Sequence, residues 1–290
     1  MFSADAEVTI EANPGTLTPE KLSIYRKYGI NRISIGLQSP NNKELAMLGR
    51  IHNYAQFLES FQMAREAGFS NINVDLMFAI PGQSYDGWIE NLQTVAALGP
   101  EHISAYSLII EEGTPFFRKK LDLPDEDTEY RMYEDVAAVL KEYDYHQYEI
   151  SNYAKAGYEC RHNEGYWQRK DYLGLGLGAA SLLGMERFSN TADMQEYLKN
   201  SSAPEKIRKN RELLTREDEM AEFMFLGLRM TQGVSKKEFQ EYFGTAIENI
   251  YGEVLKKYKK QGLLLEESGR IFLSREGIHV SNAVMADFLL

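Results

Sequence analysis

Five polar residues stand where a parallel α/β protein places its ligand contacts. Glu11, Gln38, Asp75 and Ser107 lie at or near the ends of strand-like segments, and Arg50 lies at the end of a following helix. In such folds, ligands meet the carboxyl ends of the strands and the loops just beyond them. A Glu or an Asp can bind a ribose diol or an amine, Gln offers both a donor and an acceptor, and Arg grips a carboxylate through two parallel bonds. Together the set suits a zwitterionic nucleoside ligand. Singly, each has a plainer reading: Asp75 as a satisfied buried carboxylate, Arg50 as a helix-end cation, Gln38 as a turn former.

A second constellation is His162-Asn163-Glu164-Gly165-Tyr166-Trp167. An imidazole is a good axial ligand for heme iron, and two adjacent aromatic rings can stack on a porphyrin or cover its edge. The plainer reading has His162 and Asn163 capping a helix, with Tyr166 and Trp167 in a core. The other histidines (His52, His102, His146 and His279) show no metal-ligand spacing among themselves.

The elements that must position these residues alternate along the first half of the chain. Glu7–Glu11, Arg32–Leu37, Asn71–Ile80 and His102–Ile109 are strand-like. Between them come helices with legible ends: Thr18-Pro19 opens one that Gly29 closes, another closes near Gly49, a third runs from about Tyr54 to Gly68, and Ser84 caps a fourth that reaches Leu98. Strands joined by helical crossovers imply a parallel sheet, either an interrupted barrel or a doubly wound one. A helix from about Asp125 to Asp144 and a strand at Gln147–Ile150 follow. Gly174-Leu175-Gly176-Leu177-Gly178-Ala179-Ala180 does not match the dinucleotide fingerprint and is read as close backbone packing. The last ninety or so residues predict helices at Glu217–Met230, Lys236–Phe243 and Ala246–Gln261, then a hairpin turning at Glu267-Ser268-Gly269 and a final helix to Phe288. That order suggests a winged-helix-like module.

A formal charge of −11 argues against broad nucleic-acid binding, which needs clustered cations. The Lys256, Lys257, Lys259 and Lys260 cluster falls at a predicted helix C-terminus, where it favours the helix dipole. Neither a membrane-spanning run nor a signal-peptide layout is present, so a cytoplasmic location is expected. The single cysteine, Cys160, excludes an intramolecular disulfide and a metal site built from thiolates alone.

Ordered short motifs carry a resemblance. Thr9-Ile10-Glu11-Ala12-Asn13-Pro14, Ser34-Ile35-Gly36-Leu37-Gln38-Ser39, Leu48-Gly49-Arg50-Ile51-His52, Asn73-Val74-Asp75-Leu76-Met77, Ile80-Pro81-Gly82-Gln83, Glu112-Gly113-Thr114-Pro115-Phe116 and the Cys160–Trp167 segment resemble successive motifs of HemW-type heme chaperones. These are radical S-adenosylmethionine (SAM) proteins related to the oxygen-independent coproporphyrinogen III oxidases. The resemblance implies a partial radical SAM (β/α) barrel, third strand onward, over residues 1–150, a connecting segment with the H-N-x-x-Y-W pattern over 151–200, and a mostly α, winged-helix-like domain over 201–290. It implies a SAM site at Glu11, Gln38, Arg50 and Asp75 with a backbone contact near Ile109, and heme held at His162, Tyr166 and Trp167, with His162 on the iron. Ala79 stands where the family more usually has Gly, and Arg161 follows Cys160 where a heme-regulatory pair would have Pro.

The function so implied is heme binding and delivery to acceptor hemoproteins, some at the membrane, assisted by SAM and a 4Fe–4S cluster in the intact protein. The alternative within the same superfamily is oxidative decarboxylation of coproporphyrinogen. Radical SAM chemistry needs three thiolates on the loop after the first barrel strand to hold its cluster, and one cysteine does not supply them. The chain as written is therefore expected not to cleave SAM. The resemblance begins at the third barrel strand, about two βα units of roughly 30 residues each into such a barrel. The open edge this leaves predicts self-association, for example as a homodimer.

Overall fold

The computed structural model describes residue 3 and residues 5–290, which form two compact units, 1–160 and 161–290. The boundary falls inside the stretch read from sequence as a connecting segment.

The first unit begins with β1 (Thr9–Ala12), α1 (Pro19–Lys27), β2 (Arg32–Gln38), α2 (Asn42–Met47) and α3 (Tyr54–Glu66). It continues with β3 (Ile72–Phe78), α4 (Tyr85–Ala96), β4 (His102–Ser107), α5 (Glu126–Lys141), β5 (His146–Gln147) and β6 (Asn152–Ala154). The caps fall where the sequence puts them. Thr18 accepts from the Lys21 amide ahead of Pro19, Asn53 and Gln56 form a reciprocal capping box, and Ser84 accepts from Gly87. Gly68, at φ +87°, ends α3 in the left-handed conformation that suits a residue without Cβ.

The sheet order is β1-β2-β3-β4-β6-β5, with β1 to β4 parallel. The four parallel strands β1 to β4 lie side by side in chain order, with no reversal among them of the kind that a doubly wound sheet requires. The sheet is a barrel wall that does not close: β1 and β5 are its two edges. Its far end corrects the expected strand at Gln147–Ile150. Only His146–Gln147 is extended there, and β6, which the sequence reading missed, inserts between β4 and β5, antiparallel to both.

Alternation gives the two faces different chemistry. Ile33, Ile35, Leu37, Ile72, Val74, Leu76 and Ile103 are fully buried in one core with Leu22, Phe57, Trp88, Leu92, Val136 and Leu140 from the helices. Each such side chain contributes about 2 kcal/mol of burial energy. A parallel sheet covered by helices on both faces reads as a continuous apolar run. Here the alternate positions are polar instead: Arg32, Ser34 and Gln38 on β2, Asn73 and Asp75 on β3, His102, Ser104 and Tyr106 on β4.

The second unit holds α6 (Arg161–Trp167), then β7 (Ala180–Leu183), β8 (Glu186–Asn190), α7 (Met194–Asn200), α8 (Pro204–Ile207) and β9 (Arg208–Leu213). Strands β7, β8 and β9 make an antiparallel sheet, so much of the stretch read as connecting is itself structured. It continues with α9 (Arg216–Gly227), β10 (Val234–Ser235), α10 (Lys236–Phe243), α11 (Ile247–Lys260), β11 (Leu264–Glu267), β12 (Arg270–Leu273), α12 (Arg275–His279) and α13 (Ser281–Ala286). The expected final helix is thus two, divided at Val280. The hairpin β11–β12 gains a third strand, β10, giving the wing of a winged-helix-like module around Phe239, Ile247, Tyr251, Ile271 and Phe288. Two lysines of the α11 cluster are matched by carboxylates: Lys257 lies 2.5 Å from Asp287, and Lys259 pairs with Glu266.

Candidate functional site

The polar face of the first unit converges on Gly36. A Cβ built there would lie 3.1 Å from Gln38 Nε2, 3.6 Å from Asn13 Oδ1 and 3.9 Å from Asp75 Oδ2. The missing side chain leaves room among three ligand-type groups. Gln38 reaches this place because β2 breaks register with β3 between Ile35 and Gln38 and takes φ +74° there. That conformation costs a non-glycine residue on the order of 1 kcal/mol.

Asp75 is half-buried. It accepts from Asn73 Nδ2 at 2.8 Å and from Ser34 Oγ at 3.3 Å. Burial nevertheless lifts its carboxyl above the usual range; the hydrogen bonds from Asn73 and Ser34 oppose the rise, and the charge of Glu11 adds to it. Asp75 has no ion-pair partner among the described residues. Two carboxylates that repel each other without a cation suit a ligand carrying positive charge or a diol. Tyr106 faces the same side from β4, its phenol pushed up to about 12 by burial and then by the charge of Asp75.

Asn73 links this face to a chain the sequence reading did not foresee. Its Nδ2 donates to Ser34 and Asp75, so its Oδ1 is the acceptor toward His102 Nδ1 at 2.5 Å and Ser104 Oγ at 3.2 Å. His102 then carries its proton on Nδ1, and Nε2 accepts from Tyr148 at 2.8 Å. The imidazole is held neutral, first by burial and then by the charge of Arg32.

A second buried cluster fixes the loops. Glu44 Oε2 accepts from Ser39 Oγ at 2.6 Å, Gln83 Nε2 at 3.0 Å and Asn91 Nδ2 at 2.9 Å. It ties the corner after Gln38 to the Pro81-Gly82-Gln83 turn and to α4. Arg50 is half-buried, without an ion-pair partner among the described residues. Its segment is pinned beside the end of β2 because the His52 ring donates from Nε2 to the Leu37 carbonyl at 3.1 Å. Burial lowers the His52 pKa, the hydrogen bond to Leu37 opposes this, and the charge of Arg50 lowers it further. Ile109 is 77% exposed in the loop after β4, which the Leu108 amide anchors to the Phe78 carbonyl at 2.9 Å. Ser107 does not join the site. It sits on the helix side and bonds to Glu129 of α5, leaving Tyr106 as the residue that faces Asp75.

In the second unit, α6 divides the His162–Trp167 motif between two faces. His162 and Tyr166, four apart, stack edge to face at 4.7 Å, and Tyr166 repeats the contact with Tyr172 at 4.7 Å. Both His162 and Tyr166 are exposed. Trp167 points elsewhere: the Arg229 guanidinium carbon lies 4.3 Å from its ring centroid, and its buried Nε1 has no acceptor among the described residues. A cavity of about 350 Å³ lies beside it, lined also by Phe225, Leu226, Asn282 and Met285. Arg169, bonded to Glu219 at 3.0 Å and Glu222 at 2.6 Å, fixes the end of α6 to α9.

The residues present do not fit an iron–sulfur cluster. Cys160 is buried and solitary, and among the described residues there is no metal-type group of three or more His, Cys, Asp or Glu. No helix among the described residues is long and apolar enough to cross a membrane.

Comparison with known proteins places these features. The Radical SAM superfamily profile matches residues 2–95, and the HemN C-terminal domain profile matches residues 214–280. The chain is similar to the heme chaperone HemW of Bacillus subtilis (strain 168), at 38% identity over 98% of this chain and 76% of that protein. It is likewise similar to heme chaperone HemW of Lactococcus lactis subsp. lactis (strain IL1403), at 37% identity over 98% of this chain and 76% of that one. Among solved structures, coproporphyrinogen III oxidase (HemN) from Escherichia coli, described as a radical SAM enzyme, superposes with a TM-score of 0.84 at 21% identity, covering 99% of this chain and 70% of that one. That likeness establishes the radical SAM fold with its C-terminal domain.

Proposed function

The chain belongs to the HemW family, and from that premise we propose that it binds heme as cargo, with His162 on the iron and Tyr166 against the ring, for delivery to acceptor hemoproteins. The observation that carries this reading is the exposed His162 imidazole, held edge-on by Tyr166 and therefore presented rather than buried.

We further propose that the pocket around Gly36 binds SAM. Asp75 and Glu11 would attract its cationic groups and ribose, Gln38 and Asn13 would orient it, Arg50 would take its carboxylate, and the backbone near Ile109 would close the site. The room at Gly36 is the feature that fits such a ligand. Cleaving SAM requires an iron–sulfur cluster, which these 290 residues with one cysteine do not hold, so the pocket is proposed to bind and orient only.

Absorbance titration of hemin into the chain and into His162→Ala tests the first proposal. A ligated Soret band in the parent that is lost in the variant is expected. Identical spectra would sink it.

A further inference from the structure

The Leu173–Gly178 loop has no part in the function as proposed so far. Its backbone is built with care. A Cβ on Gly174 would lie 2.2 Å from the Ala180 carbonyl oxygen, so no larger residue fits without moving the strand. Asn190 Nδ2 donates to the Gly174 and Gly176 carbonyls, the latter at 2.9 Å, and Gly174 N donates to Ser181 Oγ at 3.0 Å. Asn190 is 8% exposed and Ser181 fully buried, so the staples are internal.

What this rigid backbone displays is apolar. Leu173, Leu175 and Leu177 are 55%, 83% and 41% exposed. Leucines clustered in water on a braced loop mark a contact surface rather than a folding device. The loop also starts from a defined place. Tyr172, the residue before Leu173, is the far end of the ring row His162–Tyr166–Tyr172, with successive centroids 4.7 Å apart. Leu175 is three positions after Tyr172, so their Cα atoms lie within about 11 Å, inside the span of a porphyrin with its side groups.

We propose that the Leu173–Leu177 loop is the apolar wall of the heme site, covering the porphyrin that His162 ligates. The inference rests on the His162 reading and adds a specificity surface to it. Iron ligation holds the metal, and the leucines select for an extended apolar macrocycle. Because the leucines are exposed and the staples come from Asn190 and Ser181, replacing leucines alters the surface while leaving the loop's support in place.

The test is hemin titration by absorbance into the parent chain, a Leu173→Ser/Leu175→Ser double variant, His162→Ala, and Leu198→Ser. Leu198, 66% exposed on α7, serves as a control for general apolar adsorption. The double variant is expected to bind hemin roughly tenfold to a hundredfold more weakly, in line with losing contact by one to two leucines. It should keep the Soret position of the parent, because His162 is intact. Leu175→Met, which restores an apolar side chain, should recover most of the affinity when built with Leu173 unchanged. Affinity of the double variant within twofold of the parent would overturn the proposal while the His162 reading stands. An equal loss in Leu198→Ser would overturn it too, by showing adsorption without a site. No ligated band in the parent would bring down the His162 reading, and this inference with it.

Discussion

The Nδ1 atom of His102 lies 2.5 Å from Oδ1 of Asn73, and that contact decides the state of the whole polar face. Asn73 gives both its protons to Ser34 and Asp75, so His102 must donate, and it does so as a neutral ring. Its pKa is held well below an ordinary histidine's 6.5, chiefly by burial. A depressed histidine contributes stability that is complete above its unfolded value and is lost as pH falls below it. Chemical denaturation between pH 8 and pH 5 should therefore show the unfolding free energy dropping once pH passes below about 6.5. In His102→Gln that part of the pH slope should vanish. A slope unchanged in the variant would assign it to other groups.

Asp75 has the opposite sign. Its raised pKa means that the folded state holds the proton more tightly than the unfolded chain does. Its contribution is most favourable below the ordinary 3.8 and is lost as pH rises through the folded value. Asp75→Asn should accordingly raise the melting temperature at neutral pH, with the gain shrinking toward pH 4. Calorimetric titration with SAM should show weaker binding in the same variant. A variant less stable at pH 7 would show that the carboxylate is required structurally.

Glu44 joins three segments through one oxygen. Glu44→Ala leaves the Ser39, Gln83 and Asn91 donors without their acceptor in the interior. The cost should be on the order of 3 kcal/mol in urea denaturation, with Glu44→Gln milder because its amide oxygen still accepts. Since Ser39 follows Gln38, both variants should also weaken SAM binding. Loss of stability with unchanged binding would separate the corner from the pocket.

Strand and helix positions were legible because the signals are local. Caps such as Thr18 and Ser84 and closing glycines such as Gly68 act within a turn or two. Gln38, at the end of β2, and Asp75, a polar residue inside the apolar run of β3, also stand out in the sequence as candidates for ligand contact. What escaped was non-local. Glu44 meets donors at 39, 83 and 91, and no window of sequence holds all of them. Tyr106 was overlooked in favour of Ser107, although the period of two in Asn73-Val74-Asp75 and His102-Ile103-Ser104-Ala105-Tyr106 already assigns Tyr106 to the polar side. Strand β6 escaped because three residues carry too little pattern to be seen.

The division of the His162–Trp167 motif was written in its spacing. On a helix, residues four apart lie about 40° from each other around the axis, whereas those five apart lie about 140° apart. His162 and Tyr166 share a face, and Trp167 takes another, under Arg229. The family resemblance treats the three as one heme-binding set; the geometry gives them separable roles. Trp167→Ala should destabilise the second unit by about 2–3 kcal/mol, less than a fully buried tryptophan costs because the ring is only partly buried. Trp167→Phe should restore most of that, since it keeps a ring face for the Arg229 guanidinium. Neither change should shift the hemin Soret band, whereas His162→Ala should abolish its ligated position without changing the melting temperature by more than a degree or so. A Soret shift in Trp167→Phe at unchanged stability would return Trp167 to the heme.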